Sequence, residues 1–323
     1  MKNLLVFFIL VSSILSAKCQ IDTASVSLVA YWYVGDVYNY EVTKIKKSWK
    51  QDVLEKSDST TYYARFEVID STDVGYKVKW SYIPDEIVSQ FGDEVHSELE
   101  EEITPIDLIY TTTELGEIIE LVNWKDVSDQ TLDLLKLTQT YIDGENEEFA
   151  KALKPLQKIY ETNEGIETYA MKELNVLHFL YGLEYQTDKP IEYEDEFPNM
   201  FGGQPIRADS EIEFTAVDTS DYYFVAEQRS KLNPEDTKEM VTDVLKKMTG
   251  RKKGKEFKKF VTDAIFEVTD NNVYEYYYYP GVANYIKTER KTNVVLGDEN
   301  NRREESIEII LYFDEGDDEK SGN

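Results

Sequence analysis

Cysteine occurs once in the 323 residues, at Cys19, and histidine twice, at His96 and His178. If Cys19 leaves with a cleaved leader, the mature chain has no thiol, and disulfides, thiol nucleophiles and thiolate metal sites are excluded together. The two histidines complete no His-Glu-x-x-His zinc motif, and there is no Gly-x-Ser-x-Gly nucleophile elbow. Nothing in the sequence places a nucleophile beside either of them. Long apolar runs are also missing: none reaches the roughly 18 residues of a membrane-spanning helix, so a transmembrane anchor is not expected. Positive charge is scarce, with 35 Lys and Arg against 64 Asp and Glu and a formal charge of −29. Such a surface repels phosphate backbones and anionic lipid, which argues against a nucleic-acid partner.

What is present begins with MKNLLVFFILVSSILSAKCQ: an early lysine, an apolar stretch from Leu4 to Ala17, then small residues before a polar start. This is the layout of a secretory signal peptide. Ala17 and Cys19 fill the two small-residue positions, which puts the cut after Cys19 and makes Gln20 the first mature residue. The arrangement resembles exported proteins of Bacteroidota, where glutamine often follows the cut. Lipidation of Cys19, as in bacterial lipoproteins, is the alternative, although Lys18 stands where small residues pack against a lipidated cysteine. The expected organisation is a leader over 1–19, one domain, single or two-lobed, over 20–313, and an acidic tail over 314–323. The expected destination is the periplasm or the extracellular space.

The acids cluster at Glu98 to Glu102, around Glu192 to Glu196, and in the tail from Asp314. Neither DGENEE from Asp143 nor DEGDDE from Asp314 has the alternating oxygen ligands, central glycine and twelfth-position glutamate of a helix–loop–helix calcium site. These clusters therefore read as solvated faces, and no metal site is expected. A basic segment, KKMTGRKKGKEFKK from Lys246 to Lys259, is either a solvated loop or a docking patch for an acidic partner. Its GRKKGK departs from a phosphate loop in spacing and in having Glu256 where Ser or Thr would bind magnesium. No cofactor is expected. Paired carboxylates for glycoside hydrolysis are uninformative among so many acids, since their required spacing is spatial.

Strand patterns dominate the first part: LVAYWYV, VYNYEVTKI, TTYYARFEVI and YKVKWSYI, aromatic and β-branched runs separated by turn clusters. Tyr76, Val78, Trp80 and Tyr82 alternate with Lys77, Lys79 and Ser81, the signature of an antiparallel sheet with one buried face. A strand pair, IDLIYTTT and EIIELVN, hinges at residues 114–116. From about Val127 to Tyr181 the period becomes helical, with Asp126 or Ser128 as the N-cap and His178 on a core-facing row with Met171, Leu174 and Tyr181. His96 falls in the acidic helical segment HSELEEE. Strands return in EIEFTAVDTSDYYFVAEQ, AIFEVTDNNVYEYYYY, NYIKTERKTNVVL and ESIEIILYF, interrupted by a helix NPEDTKEMVTDVLKKM with Asn233 as N-cap and Pro234 in its first turn. The hairpins FEVIDSTDVGYKVKW and FTAVDTSDYYFVAEQ form a faint internal repeat.

Five tyrosines fall between Tyr274 and Tyr279. With VTDNNV read as a turn before them and Pro280-Gly281 after, Tyr274, Tyr276 and Tyr278 share a charge-free face, and Tyr277 and Tyr279 share the other with Glu275. The charge-free face belongs against a core; a ligand platform is the alternative, because tyrosine serves both. In the next strand Arg290 shares a face with Ile286, Thr288, Thr292 and Val294. Its guanidinium needs a partner, either an acid from a covering helix or the carboxylate or phosphate head of a bound lipid.

In the order of its parts the chain resembles secreted Bacteroidota families of unknown function and, more distantly, the bacterial lipoprotein carriers. The residues carrying this are GDVYNYEV, TTTELGEIIELVNW, and YYYYPGVANYIKTERKTNV followed by ESIEIILYF. The carrier resemblance implies an α+β fold: a curved antiparallel sheet, a half-barrel, covered by helices with an apolar groove between. Arg290, Tyr276, Tyr278 and Trp80 are then the candidate ligand-binding residues, with an apolar small molecule or lipid as partner. The competing reading is an exported structural or interaction module whose core is full, and an unrecognised hydrolase is the third.

Overall fold

The computed structural model describes residues 25–84, 103–141, 147–197, 204–249 and 264–313. The expectations for Cys19 and Gln20, His96, the acids at 98–102, most of the basic segment and the tail lie outside the described residues. Strands β1 (Ser25–Ser27), β2 (Val37–Lys50), β3 (Val53–Thr72), β4 (Gly75–Tyr82), β5 (Ile106–Thr113) and β6 (Ile118–Leu121) come first. Helices α1 (Trp124–Tyr141), α2 (Glu147–Tyr160), α3 (Asn163–Ala170) and α4 (Lys172–Leu177) follow. Then come β7 (Glu184–Gln186), β8 (Ile191–Phe197), β9 (Ile206–Asp218), β10 (Tyr223–Leu232), helix α5 (Pro234–Thr249), β11 (Ile265–Tyr277), β12 (Val282–Leu296) and β13 (Glu299–Tyr312).

Eleven strands form one antiparallel sheet in the order β6-β5-β4-β3-β2-β13-β12-β11-β10-β9-β8. The order is two meanders, β2 to β6 and β8 to β13, joined where the first strand of one pairs with the last of the other, for example Val42 with Ile309. Hairpins make each meander from local turns, whereas the β2–β13 seam closes across most of the chain. Helices α1–α4 carry the chain from one sheet edge to the other. The sheet is curved and does not close into a barrel, and no helix among the described residues is long and apolar enough to cross a membrane.

Alternation puts Tyr40, Val42, Tyr62, Ala64, Phe66, Val78, Trp80, Leu108 and Tyr110 on the concave face, all buried. From the other meander Phe214, Phe224, Ala226, Tyr274, Tyr276 and Ile286 join the same cluster. A plug from residues 26–32, β7 and α3–α4 lies between them. Trp32 packs edge-on to Phe66 with ring centroids 5.0 Å apart and at 5.6 Å from Tyr181, while its Nε1 donates to the Gly281 carbonyl at 2.7 Å. One side chain thus ties the two meanders together.

This plug corrects the expected strand LVAYWYV. Only Ser25–Ser27 is a strand, paired with β7, and Leu28 makes a single bridge to Tyr181. The following backbone finds its partners on turns: Ala30 N–H donates to Leu115 O at 3.2 Å and Tyr31 N–H to Pro280 O at 3.0 Å. The approach requires Gly281, whose φ is +83° and where a Cβ would sit 2.1 Å from the Val29 carbonyl oxygen.

Three other expectations are corrected. VTDNNV is no turn: β11 runs through it, because Asp270 and Asn272 find polar partners on neighbouring strands. The tyrosine strand therefore ends at Tyr277, with Tyr278 in the following turn. Helix α1 starts at Trp124, so Asp126 lies in its first turn and Ser128, already helical, donates its hydroxyl to Tyr160 O at 2.6 Å. The Asn233 cap stands, its Oδ1 accepting from the Glu235 and Asp236 amides at 3.0 and 3.1 Å.

Candidate functional site

In a half-barrel the first place to look is between sheet and helices. Leu28, Leu174 and Leu180 are fully buried there. Among the described residues a cavity of about 60 Å³ lies beside Tyr62, Tyr82, Tyr160 and Tyr169, bordered by the Lys44–Glu173 ion pair at 2.7 Å. That is room for about two waters, where ligand pockets measure roughly 300–1,000 Å³. The apolar face of the sheet is occupied by the chain's own residues.

Further along the strands the concave face turns polar. Cross-strand partners align Asp58, Lys46, Glu305, Arg290 and Asp270 in one row over β3, β2, β13, β12 and β11. Their charges alternate, and opposite charges directly across a ladder stabilise by about 0.2–1 kcal/mol per pair. The row continues as Ser230, Ser210 and Tyr193 on β10, β9 and β8. Ser210 and Ser230 hydroxyls meet at 2.8 Å, and Gln228 Nε2 donates to the Tyr193 hydroxyl at 2.7 Å. Phe197 of edge strand β8 lies 5.3 Å from the Arg290 guanidinium of β12. An edge residue meeting a residue four strands away means that this part of the sheet is rolled, and the small serines leave space for the roll.

Arg290 donates through Nε and Nη2 to both oxygens of Asp270, at 2.7 and 2.6 Å. The partner expected for Arg290 is an acid from a covering helix or a lipid head group; the acid stands instead on the adjacent strand. Asp270 is buried, whereas the Arg290 side chain keeps 41% of its surface. Arg290→Ala should therefore cost about 1–3 kcal/mol, the penalty for a buried acceptor left unpaired, and less than breaking a wholly buried pair. Urea denaturation followed by circular dichroism measures it; unchanged stability would free Arg290 for a ligand. A depression of about 640 Å³ lies nearby, lined by residues 192–194, 209–211, 229–231 and 269–271. It is large enough for a ligand, but its lining alternates between faces: Tyr193, Ser210, Ser230 and Asp270 share the concave one, where the single charge, Asp270, is already taken by Arg290, and Glu192, Glu194, Asp209, Glu211, Arg229 and Lys231 share the other.

Of the other residues singled out from the sequence, Trp80 and Tyr276 are 1% and 0% exposed. Both are packed in the main core, and the Tyr276 hydroxyl donates to Leu177 O at 2.7 Å. Tyr278 is brought to neither of them. It belongs to an aromatic surface at the end of the sheet where the β9–β10 and β11–β12 turns meet. There Tyr222 lies 5.7 Å from Tyr278 and 5.8 Å from Tyr279, and Tyr279 lies 5.6 Å from Tyr31. Tyr31, Tyr222 and Tyr279 are exposed, and Tyr33, two residues along the chain from Tyr31, is 72% exposed. The tyrosine run thus divides: Tyr274 and Tyr276 build the core, half-buried Tyr278 stacks on Phe224 at the core's edge with ring centroids 6.4 Å apart, and Tyr279 is exposed in the surface cluster. Tyr31 and Tyr222 were missed because they come from distant turns; the doublets Tyr222-Tyr223 and Tyr278-Tyr279 at turn ends were the available signal.

His178 is closed to solvent. Its Nδ1 donates to the Gly116 carbonyl at 2.7 Å, which leaves Nε2 to accept from the Tyr110 hydroxyl at 2.9 Å. Burial pushes its pKa down from 6.5 to about 4, against the opposing effect of the Gly116 hydrogen bond. The core histidine expected from the sequence is what the structure shows. Among the described residues no group of three His, Cys, Asp or Glu side chains is arranged to hold a metal. No protein-family model matches the chain, and no curated protein matches it either.

Proposed function

We propose that the protein is an exported, non-enzymatic recognition module that engages its partner on its surface, with the half-barrel serving as a rigid frame. Export rests on the signal-peptide layout of residues 1–19. The observation that carries the rest is the packing of the apolar part of the concave face: among the described residues Leu28, Leu174 and Leu180 are fully buried there and the cavity beside them measures about 60 Å³, which supports a core that is full rather than a carrier's groove. The non-enzymatic part is supported by His178, whose two ring nitrogens are both committed inside the core. Native mass spectrometry of the mature protein is expected to show no co-purifying lipid, and a fluorescent acyl probe to show no saturable binding. A stoichiometric lipid adduct, or saturable probe uptake by the folded protein, would replace this reading with the lipid carrier.

A further inference from the structure

The surface tyrosine cluster lies on segments of uniform charge. Residues 25–43, 213–228 and 273–286, which build it, contain no lysine or arginine. They do contain Asp36, Glu41, Glu213, Asp218, Asp221, Glu227 and Glu275. Bases of the strands that carry these segments stand further along them: Lys44, Lys46, Lys47 and Lys50 on β2, Arg229 and Lys231 on β10, and Lys287, Arg290 and Lys291 on β12; Arg229 pairs with Glu213 and Glu227, which leaves Asp36, Asp218, Asp221 and Glu275 beside the turns. The segments that bear the tyrosines are acidic; of the bases on the neighbouring strands at this end, Arg65 and Lys79 pair with Glu67 and Lys77 stands opposite Asp70.

The tyrosines are held on an ordered backbone. Asp36 accepts from the Tyr33 amide at 2.8 Å, and the Tyr278 amide donates to Tyr222 O at 2.7 Å. Asp218 caps the β9–β10 turn through Ser220 and Asp221, and those hydrogen bonds keep its carboxyl below the ordinary range, so it stays charged. Tyr222 has φ of +54°. A bulky residue held there is strained, and such strain collects at sites where surface geometry matters.

We infer that this end binds a basic peptide segment, with arginine or lysine side chains lying over the rings of Tyr31, Tyr222 and Tyr279 and the flanking carboxylates completing the charge match. The face of an aromatic ring is negative and attracts cations. An acidic field raises the local concentration of a cationic partner. Exposed, contiguous aromatic surface marks an interaction site more often than a solvated one, and a fixed backbone lowers the cost of binding. The inference rests on the surface-recognition reading and adds the place and the chemistry of the partner.

The test uses the full chain and a fluorescent arginine-rich peptide, with a citrulline analogue of the same shape but no charge, at about 0.15 M salt. Each exposed cation–π contact is worth about a two- to fivefold difference in affinity. Tyr31→Leu/Tyr279→Leu should therefore weaken arginine-peptide binding about five- to twentyfold while the melting curve stays near that of the wild type. Tyr31→Phe/Tyr279→Phe keeps the rings and should retain binding. Binding of the citrulline peptide as tightly as the arginine peptide, or an unchanged affinity in the Leu variant, would overturn the inference. So would displacement of the peptide by a neutral oligosaccharide or by phosphatidylcholine vesicles, or loss of self-association in place of peptide binding. If the Leu variant unfolds, peptide-induced NMR shifts in the wild type decide, with shifts absent from residues 31, 222 and 279 counting against it. Acyl-probe uptake unaffected by these substitutions would defeat the surface-recognition reading instead, so the two failures are distinguishable.

Discussion

Tyr276→Ala is expected to destabilise the fold by about 3–5 kcal/mol, the usual cost of truncating a buried aromatic, whereas Tyr277→Ala should cost about 1 kcal/mol or less. Tyr276 is fully buried. It packs against Phe224 at 5.6 Å and edge-on to Tyr181 at 5.9 Å, and its hydroxyl satisfies the last carbonyl of α4 at Leu177. Truncation removes the ring contacts and leaves that carbonyl without its donor. Tyr277 is half-buried on the other face and contacts Tyr223 at 5.5 Å. Urea midpoints of the two variants give the comparison. Equal midpoints would show that the strand faces are assigned the wrong way round.

The second large effect is acid sensitivity from His178. Its pKa is about 4 in the fold, against about 6.5 in an unfolded chain. Above pH 6.5 both states are neutral at this site and it adds no pH dependence. Between 6.5 and 4 the unfolded state takes up the proton while the folded state does not, so stability falls as pH falls. Below about 4 both are protonated and the loss levels off. The shift corresponds to about 3 kcal/mol. The chemistry is visible in the contacts: a protonated Nε2 would have to donate, but it faces a hydroxyl already directed at it. His178→Gln, which cannot take up a proton here, should be less stable than the wild type at pH 7 and lose about 3 kcal/mol less than the wild type between pH 7 and pH 4. Because both proteins share every carboxylate, the difference isolates this residue. Parallel pH–stability curves would show that the imidazole is not held neutral.

Much of the local structure was legible in the sequence because its causes are local. Period-two alternation in residues 76–82 announced β4 and its buried face, and Trp80 and Val78 are buried there. Asn233 before Pro234 announced the start of α5, and the cap hydrogen bonds are present. The row of Met171, Leu174, His178 and Tyr181 announced a core-facing helical end, and all four are buried. In each case the signal and the structure depend on residues a few positions apart, where propensity, capping and burial agree.

The candidate site depended on distance. Residues 28–34 have strand composition, yet their amides bond to Leu115 and Pro280, partners that no local pattern names, and so a segment expected in the sheet fills the groove. Arg290 was marked as needing an acid, but only the β11–β12 register, which places Asp270 directly opposite, says which. VTDNNV has turn composition and became strand because Asp270 and Asn272 gain side-chain partners across the sheet, and those partners exist only once the sheet has formed. Tyr31 meets Tyr279 through the plug, a contact between opposite ends of the chain. Composition and periodicity determined that antiparallel strands flank a helical middle, and the curved half-barrel form was what the resemblance implied. Whether the groove is open, and where the exposed tyrosines gather, followed from long-range register and packing, because a hydrogen bond or ring contact made across the sheet leaves no trace in the neighbouring sequence.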